Sequence, residues 1–223
     1  MNLFMTQLNF LIHSNLYIEQ LSFKIPYLLF HFFLILIEKE VVMATITIDD
    51  LKKELQNGAG VPGHPFRCFT LGTVGLDRVA RLRTVVLRKV SDDLRLTFYT
   101  DSRSKKIIHL KENNKVGLLF YNPDKLLQLK VEGLAKIFKD EAANKKVWDA
   151  IDPKARKVYS TSLAPGSELE DPKQLQYLEG KNNFCVVEVT PFKIEYLKLQ
   201  KPHHLRIRFS FRDSKWASEY LVP

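Results

Sequence analysis

At 223 residues, with 45% hydrophobic and 26% charged side chains, the chain can bury a core, which excludes an intrinsically disordered protein. Its formal charge is +9; residues 1–42 hold Lys24 and Lys39 against Glu19, Glu38 and Glu40, so residues 43–223 carry +10. A surface this basic suits phosphate-bearing ligands, nucleic acid or anionic membrane, and charge alone does not choose among them. Cys68 and Cys185 are far apart with no CxxC spacing, and the adjacent His203 and His204 would point to opposite faces of a strand. Neither a disulfide framework nor a metal site is expected.

Residues 1–42 read differently from the rest. They contain the run PYLLFHFFLILI at 26–37, too short for a comfortable bilayer span, which takes about 20 residues. One lysine precedes the run and no A-x-A follows it, which argues against a secretory signal. Three readings remain open: a poor signal anchor, an interfacial helix, or upstream sequence translated from a wrongly chosen start. The last is favoured, because Met43 opens MATITIDDLKKELQN as a compact soluble protein would begin. The expected organisation is a non-core extension over 1–42 and one domain over 43–223.

From there the elements follow in order. Thr47 caps a helix over about 48–57 with acids in its first turn, stopped by Gly58 and Gly60. Strand-like runs cover 66–75, 79–90, 93–100 and 114–122, with Ser91-Asp92-Asp93 as a turn. Ser104 precedes a helix that sets Ile107, Ile108 and Leu110 on one side. Another strand runs over about 125–138, with Gly133 marking a bulge or a close backbone approach. Helices are expected at about 140–150 and 153–160, then a loop through STSLAPGSELEDP. The late strands read NFCVVEVTP, FKIEYLKL, HLRIRFSF and WASEYLV. Many closely spaced strands with few inserted helices predict a mainly β protein with peripheral α, built as an antiparallel closed or half-closed barrel. No βαβα alternation and no GxGxxG occur, which disfavours a Rossmann fold.

The basic, strand-rich stretch from Arg83 to Gln128 carries the chemistry. Ser104 would bring its hydroxyl and the first free N–H groups of a helix to one spot, with Lys105 and Lys106 in the same turn. Cations oppose the helix dipole there, an arrangement that makes sense around a phosphate. Arg83 lies on the preceding strand pair, and guanidinium suits bidentate phosphate contact. The five-residue step from Arg83 to Arg88 sends the two arginines to opposite strand faces, hence to different roles.

Six short pieces of the chain then resemble, in order, the pyridoxamine 5′-phosphate oxidase family of FMN-binding split barrels. Arg83-Thr84-Val85-Val86-Leu87-Arg88 is similar to its R-x-V-L-L-K strand, Tyr99-Thr100 to its Y-T pair, Ser104-Lys105-Lys106 to its S-R-K helix start, and Gln128-Leu129 to its Q-V strand start. Near the C-terminus His204-Leu205-Arg206-Ile207-Arg208-Phe209 resembles R-L-H-D-R-F, and Trp216…Leu221-Val222-Pro223 resembles W…L-A-P. The resemblance spans about residues 60–223.

It implies a homodimer with two FMN molecules at the subunit interface. By match, Arg83, Ser104, Lys105 and Lys106 would hold the FMN phosphate. The backbone of Thr84, Val85, Val86, Leu87 and Arg88, with Gln128, would meet the isoalloxazine ring and its ribityl edge. Tyr99 and Thr100 would add polar contacts, and Arg208 would reach the partner's flavin. The implied activity is that of an oxidase: a substrate amine or alcohol carbon gives a hydride to FMN, and dioxygen reoxidises it to hydrogen peroxide. His204 or Arg206 would polarise or deprotonate the substrate. The expected location is cytoplasmic, with a small molecule, phosphorylated or not, as substrate and no membrane partner.

The chain departs from the family pattern on the substrate side. Arg88 stands where the family has a substrate lysine, which keeps charge but not shape. His204 and Arg206 replace its late Arg and His in register, its tryptophan falls on Leu197 or Lys198, and its Q-S pair is missing. Arg156, Tyr159 and Ser162 are the candidates for its substrate-phosphate clamp. Alternatives are an FMN-dependent reductase of another small molecule and a non-catalytic flavin-binding protein. A nucleic-acid binder is disfavoured, because Leu205, Ile207, Phe209 and Phe211 alternate as core residues do.

Overall fold

A capping box opens the described chain. In the computed structural model, which describes residues 46–138, 141–180 and 182–223, Thr47 accepts a hydrogen bond from Asp50 N while the Asp50 carboxylate accepts one from Thr47 N. Helix α1 (Ile48–Gly60) follows and buries Leu51 and Leu55. It runs three residues past the expected stop at 57. Gly58 does not end the helix; it lets it approach the turn at Pro65–Arg67, where an added Cβ would stand 2.7 Å from Phe66 Cβ. The apolar run at 26–37 and the proposed start at Met43 lie outside the described residues.

Eight antiparallel strands form the body: β1 (Cys68–Val74), β2 (Ala80–Val90), β3 (Leu96–Asp101), β4 (Lys115–Asn122), β5 (Leu127–Ile137), β6 (Phe184–Lys198), β7 (Leu205–Arg212) and β8 (Lys215–Tyr220). Their order is β3-β2-β1-β4-β5-β6-β7-β8, and a further β3–β6 pairing closes the first six into a barrel. Helix α2 (Lys105–Glu112) joins β3 to β4, and α3 (Glu141–Asp149) and α4 (Pro153–Arg156) sit in the β5–β6 connection. This is the mainly β, closed antiparallel barrel that the strand spacing predicts and the split-barrel fold that the resemblance implies.

Alternation explains the core. Phe69 and Leu71 on β1, Val85 and Leu87 on β2, Leu118 and Phe120 on β4, and Leu129 and Val131 on β5 all point inward and are buried. Phe69 stacks on Phe120 with ring centroids 4.8 Å apart, and Phe66 and Phe98 pack on the same pair. A second, smaller cluster of Trp148, Tyr159, Phe184 and Val186 with Tyr99 lies against the β3–β6 seam.

Two local expectations need correction. The segments NFCVVEVTP and FKIEYLKL are one strand, β6, running straight through Pro191. Proline is tolerated there because the β5–β6 register shifts between Glu132 and Gly133, so that Gly133 faces Pro191 across a bulge. On α2, Ile107 and Leu110 are buried but Ile108 is 46% exposed, since adjacent helical positions are about 100° apart.

Gly133 is the close approach its position in β5 foreshadows. A Cβ there would meet Val189 Cγ1 at 2.6 Å and Thr190 O at 2.8 Å. Gly133→Ala should therefore destabilise the fold by about 1–3 kcal/mol, read as a lower urea midpoint at unchanged slope.

Candidate functional site

The end of the barrel beneath α2 gathers cations and hydroxyls from three strands and one helix. Arg83 faces inward at the far end of β2, where NH1 donates to Leu71 O at 3.3 Å and to Thr73 Oγ1 at 2.6 Å. Lys106 reaches in from the first turn of α2 and donates to Thr100 Oγ1 at 2.8 Å. Thr100 Oγ1 lies 3.3 Å from Ser104 Oγ, and both residues are buried. Ser104 is the N-cap by position, yet its hydroxyl makes no capping bond, so it stays with this cluster.

Among the described residues, neither cation forms an ion pair with a carboxylate. Asp101, the nearby acid, is held by Arg103, with Arg103 NH2 donating to Oδ2 at 2.7 Å and Nε to Oδ1 at 3.1 Å. Burial first, and then the field of Arg83, pushes the Lys106 ammonium below its ordinary pKa, with Asp101 opposing. Burial and Arg81 likewise disfavour the charged form of Arg83. Mutual repulsion in a half-buried setting is the state that a bound anion relieves. Among the described residues, neither Nε nor NH2 of Arg83 bonds to protein, and Lys106 uses one of its three N–H groups. A phosphate monoester fits this donor set.

Of the residues expected at the phosphate, Arg83, Ser104 and Lys106 come together here, joined by Thr100, which was expected to add polar contacts. Lys105 is exposed at the start of α2, one residue off the inward direction. Thr73 and His109 belong to the cluster and were not anticipated. His109 Nδ1 stands 3.0 Å from Thr73 Oγ1, both residues being buried. The sequence held one signal for Thr73, a hydroxyl in the same inward register as Phe69 and Leu71.

The rest of the β2 motif divides by face. Val85 and Leu87 are core residues, so only their backbone is offered outward, while Thr84 and Val86 face out. Arg88 also faces out, opposite to Arg83 as the spacing requires. Its guanidinium lies 5.5 Å from the centroid of Tyr99, and its buried Nε has no hydrogen-bond partner. Both residues line a cavity of about 540 Å³ with Ala59, Arg67, Val147 and Ile151. Gln128 faces out from β5, between Tyr121 and Leu197.

His204, Arg206 and Arg208 lie elsewhere, on or just before β7. Arg206 NH2 donates to Glu195 Oε2 and Arg208 Nε to Glu219 Oε1, each at 2.8 Å. His204 is exposed, and its Nδ1 accepts from Gln200 N at 3.2 Å. Cross-strand neighbours run Thr84–Thr70–Leu119–Lys130–Glu195–Arg208 along one row of the outer face. Among the described residues, the side-chain bonds of Arg206 and Arg208 go to β6 and β8, not to β2.

The candidates for a substrate-phosphate clamp are occupied. Arg156 donates to Ile151 O and Asp149 O, each at 2.8 Å, and stacks over Trp148. Tyr159 is buried in the aromatic cluster. Ser162 lies in a loop fastened by Arg103, whose guanidinium donates to the carbonyls of Thr161, Ser162 and Leu163.

Comparison with known families matches residues 64–198 to the one described as pyridoxamine 5′-phosphate oxidase, more than half of the chain. The chain belongs to that family. A pyridoxine/pyridoxamine 5′-phosphate oxidase of Wolbachia pipientis wMel is 28% identical over 172 residues, 70% of this chain and 77% of that protein. One from Aliarcobacter butzleri is 42% identical over 65 residues, 29% of this chain and only 30% of that protein's length. Among solved structures, a pyridoxamine 5′-phosphate oxidase-related, FMN binding protein from Nostoc punctiforme superposes with a TM-score of 0.68 at 21% identity, covering 81% of this chain and 100% of that one. PhzG from Burkholderia lata 383, in complex with tetrahydrophenazine-1-carboxylic acid, gives 0.61 at 21% identity, covering 70% and 82%. At this identity the two structures establish the shared fold. Among the described residues of this family member, no helix is long and apolar enough to cross a membrane.

The depressed Lys106 pKa has a measurable consequence. Lysine's contribution to anion binding is lost as it deprotonates, and in the free protein that begins below its ordinary value near 10.5. Affinity for a phosphate monoester, followed by calorimetry from about pH 7 upward, should start to fall at a lower pH than an exposed lysine would impose. Lys106→Arg, which keeps its charge throughout, should flatten that decline.

Proposed function

We propose that this protein is an FMN-dependent oxidoreductase that works as a homodimer, with the cluster beneath α2 as the seat of the FMN phosphate. One observation carries the reading: Arg83 and Lys106 are held at the barrel end by buried threonine hydroxyls, with no carboxylate to neutralise them. Ser104 supplies a hydroxyl beside them, and the outward backbone of Thr84–Arg88 with Gln128 forms the adjoining wall for the ring. FMN, when bound, supplies the redox chemistry, accepting a hydride from the substrate and passing electrons to dioxygen.

The chain's own groups have distinct tasks. Arg88, with a buried N–H lacking a partner, offers an anionic substrate group a charge-assisted bond inside the outer cavity. His204 accepts from Gln200 N at Nδ1, which leaves Nε2 as the nitrogen that meets the substrate. Arg206, oriented by Glu195, holds positive charge next to it. These β7 residues and Arg208, bonded to β6 and β8 in their own chain, serve the flavin of a second copy.

The outer face supports such a dimer. Leu82 is 71% exposed, and Leu76, Val79, Leu119 and Tyr121 are exposed beside it, around the smooth pair Gly72 and Gly117. An apolar patch of this kind on a closed barrel suits a subunit interface. A small molecule other than a vitamin B6 phosphate is favoured by one feature. Arg156 and Tyr159, the residues nearest in sequence to a substrate-phosphate clamp, are consumed by α3 and the aromatic cluster.

Purified protein should be yellow and release FMN on denaturation, and Arg83→Ala with Lys106→Ala should abolish FMN retention in a folded protein. Hydrogen peroxide formation from pyridoxamine or pyridoxine phosphate would favour the oxidase; flavin reduction by NADPH without it would favour a reductase. A colourless wild type that ignores added FMN would overturn the reading. Separately, Leu82→Asp should convert a dimer to a monomer in sedimentation and weaken FMN retention; an intact dimer would count against this face.

A further inference from the structure

The cluster beneath α2 contains a relay that none of the sequence motifs includes. Thr73 faces inward near the end of β1 and is 3% exposed. Its Oγ1 lies 2.6 Å from Arg83 NH1 and 3.0 Å from His109 Nδ1. A hydroxyl has one hydrogen to give and two lone pairs to receive. Arg83 can only donate, so it takes a lone pair. The remaining question is what His109 does.

If Nδ1 carried a proton, two donors would converge on Thr73 and its own O–H would have no acceptor among the described residues. If Nδ1 is bare, it accepts the Thr73 hydrogen, and the three groups that meet at Thr73 Oγ1 are matched donor to acceptor. The surroundings agree. His109 faces Arg83 and Arg81 from β2 and Lys105 from its own helix, with Asp77 of the β1–β2 turn opposing them. Burial first, and then Arg83, pushes its pKa below the ordinary histidine value, although the C-terminal half of a helix would by itself favour the cation. The imidazole is neutral at physiological pH.

We propose that His109 is a positioning residue for the anion site: its Nδ1 accepts a hydrogen bond from the Thr73 hydroxyl and thereby turns an oxygen lone pair onto Arg83 NH1. Together with Leu71 O, that bond fixes one edge of the guanidinium and leaves Nε and NH2 for the ligand. Geometry of this kind matters more for arginine than for lysine, because its fork is planar and must be aimed. The proposal rests on the reading of Arg83 and Lys106 as the FMN phosphate site.

The test is FMN affinity of the full chain, measured by flavin fluorescence quenching, with apo-protein melting followed alongside. His109→Leu keeps bulk but removes the acceptor and should weaken FMN about tenfold, the loss of one well-placed bond. His109→Asn places an amide oxygen nearly where Nδ1 stands and should stay within about threefold of wild type. Thr73→Val, close to isosteric, should match His109→Leu, and combining the two should add little further loss. In the Thr73→Val background, Arg83→Ala should cost less affinity than it does in wild type. Wild-type affinity in His109→Leu and Thr73→Val, equal losses in His109→Leu and His109→Asn, or strictly additive losses would each overturn the relay. If instead Arg83→Ala and Lys106→Ala leave FMN binding intact, the phosphate-site reading fails and the relay fails with it. Should His109→Leu not fold, Thr73→Val and His109→Asn still decide the matter.

Discussion

A strand of fifteen residues with two different partners along one edge sets the geometry of this molecule. β6 pairs with β5 along nearly its whole length. On its other edge, residues 184–189 pair with β3 and residues 193–198 pair with β7. The exchange happens around Pro191, which cannot donate to a ladder and sits at the bulge opposite Gly133. Closure through β3 makes a barrel with a packed interior. Departure toward β7 makes an arm that carries Arg206 and Arg208 away from it. Both candidate halves of the site, the barrel end and the arm, are consequences of that one exchange.

Closure also explains why the barrel end can hold unpaired cations. Asp101 ends β3 beside them and is buried, but Arg103, two residues on, saturates its carboxylate and ties it to the loop at 161–163. The acid is therefore spent on fastening a loop. Arg83 and Lys106 are left with hydroxyls and a carbonyl, which can orient a cation but not neutralise it. Half-buried charge of one sign opposes folding when nothing balances it, and a packed barrel of large aromatic and aliphatic residues can carry that burden. The stored repulsion is released when an anion arrives, so the same residues weaken the empty fold and strengthen ligand binding.

Much of this was legible in the chain. Inward residues alternate plainly on β2 and β7, where Ile207 and Phe209 are buried, although Phe211 at the end of the run is 45% exposed and leans on Trp216. The opposite facing of Arg83 and Arg88 follows from strand period alone, and the structure has it so. Pro191 misled because its meaning depends on the bulge at Phe192 beside it, which shows only in the pairing with β5, and Ile108 because three apolar residues within one turn cannot all face the same side. The Thr73–His109 contact spans 36 residues and joins a strand to a helix. Neither residue type nor spacing announces it; only barrel closure brings the two together.

This difference in range bears on why the two halves of the family pattern fare so differently here. The anion cluster is drawn mostly from residues 83–106, two consecutive strands and a helix start, so short-range folding assembles it once β2, β3 and α2 exist. The substrate side needs contributions from the 150–182 connection and from β7, which no short segment brings together. In that connection Arg156 closes the carbonyl end of α3, and Tyr159 fills the space between Trp148 and Phe184. Each side chain is committed to packing, Arg156 over Trp148 and Tyr159 against Trp148 and Phe184, and neither lines the outer cavity. That cavity is lined instead by Arg67, Arg88, Tyr99, Lys146 and Asp152 beside the apolar surface of Val147, Ala150 and Ile151. Its character, mainly basic with an apolar wall, is therefore set by residues other than the two that the family pattern puts forward for the clamp.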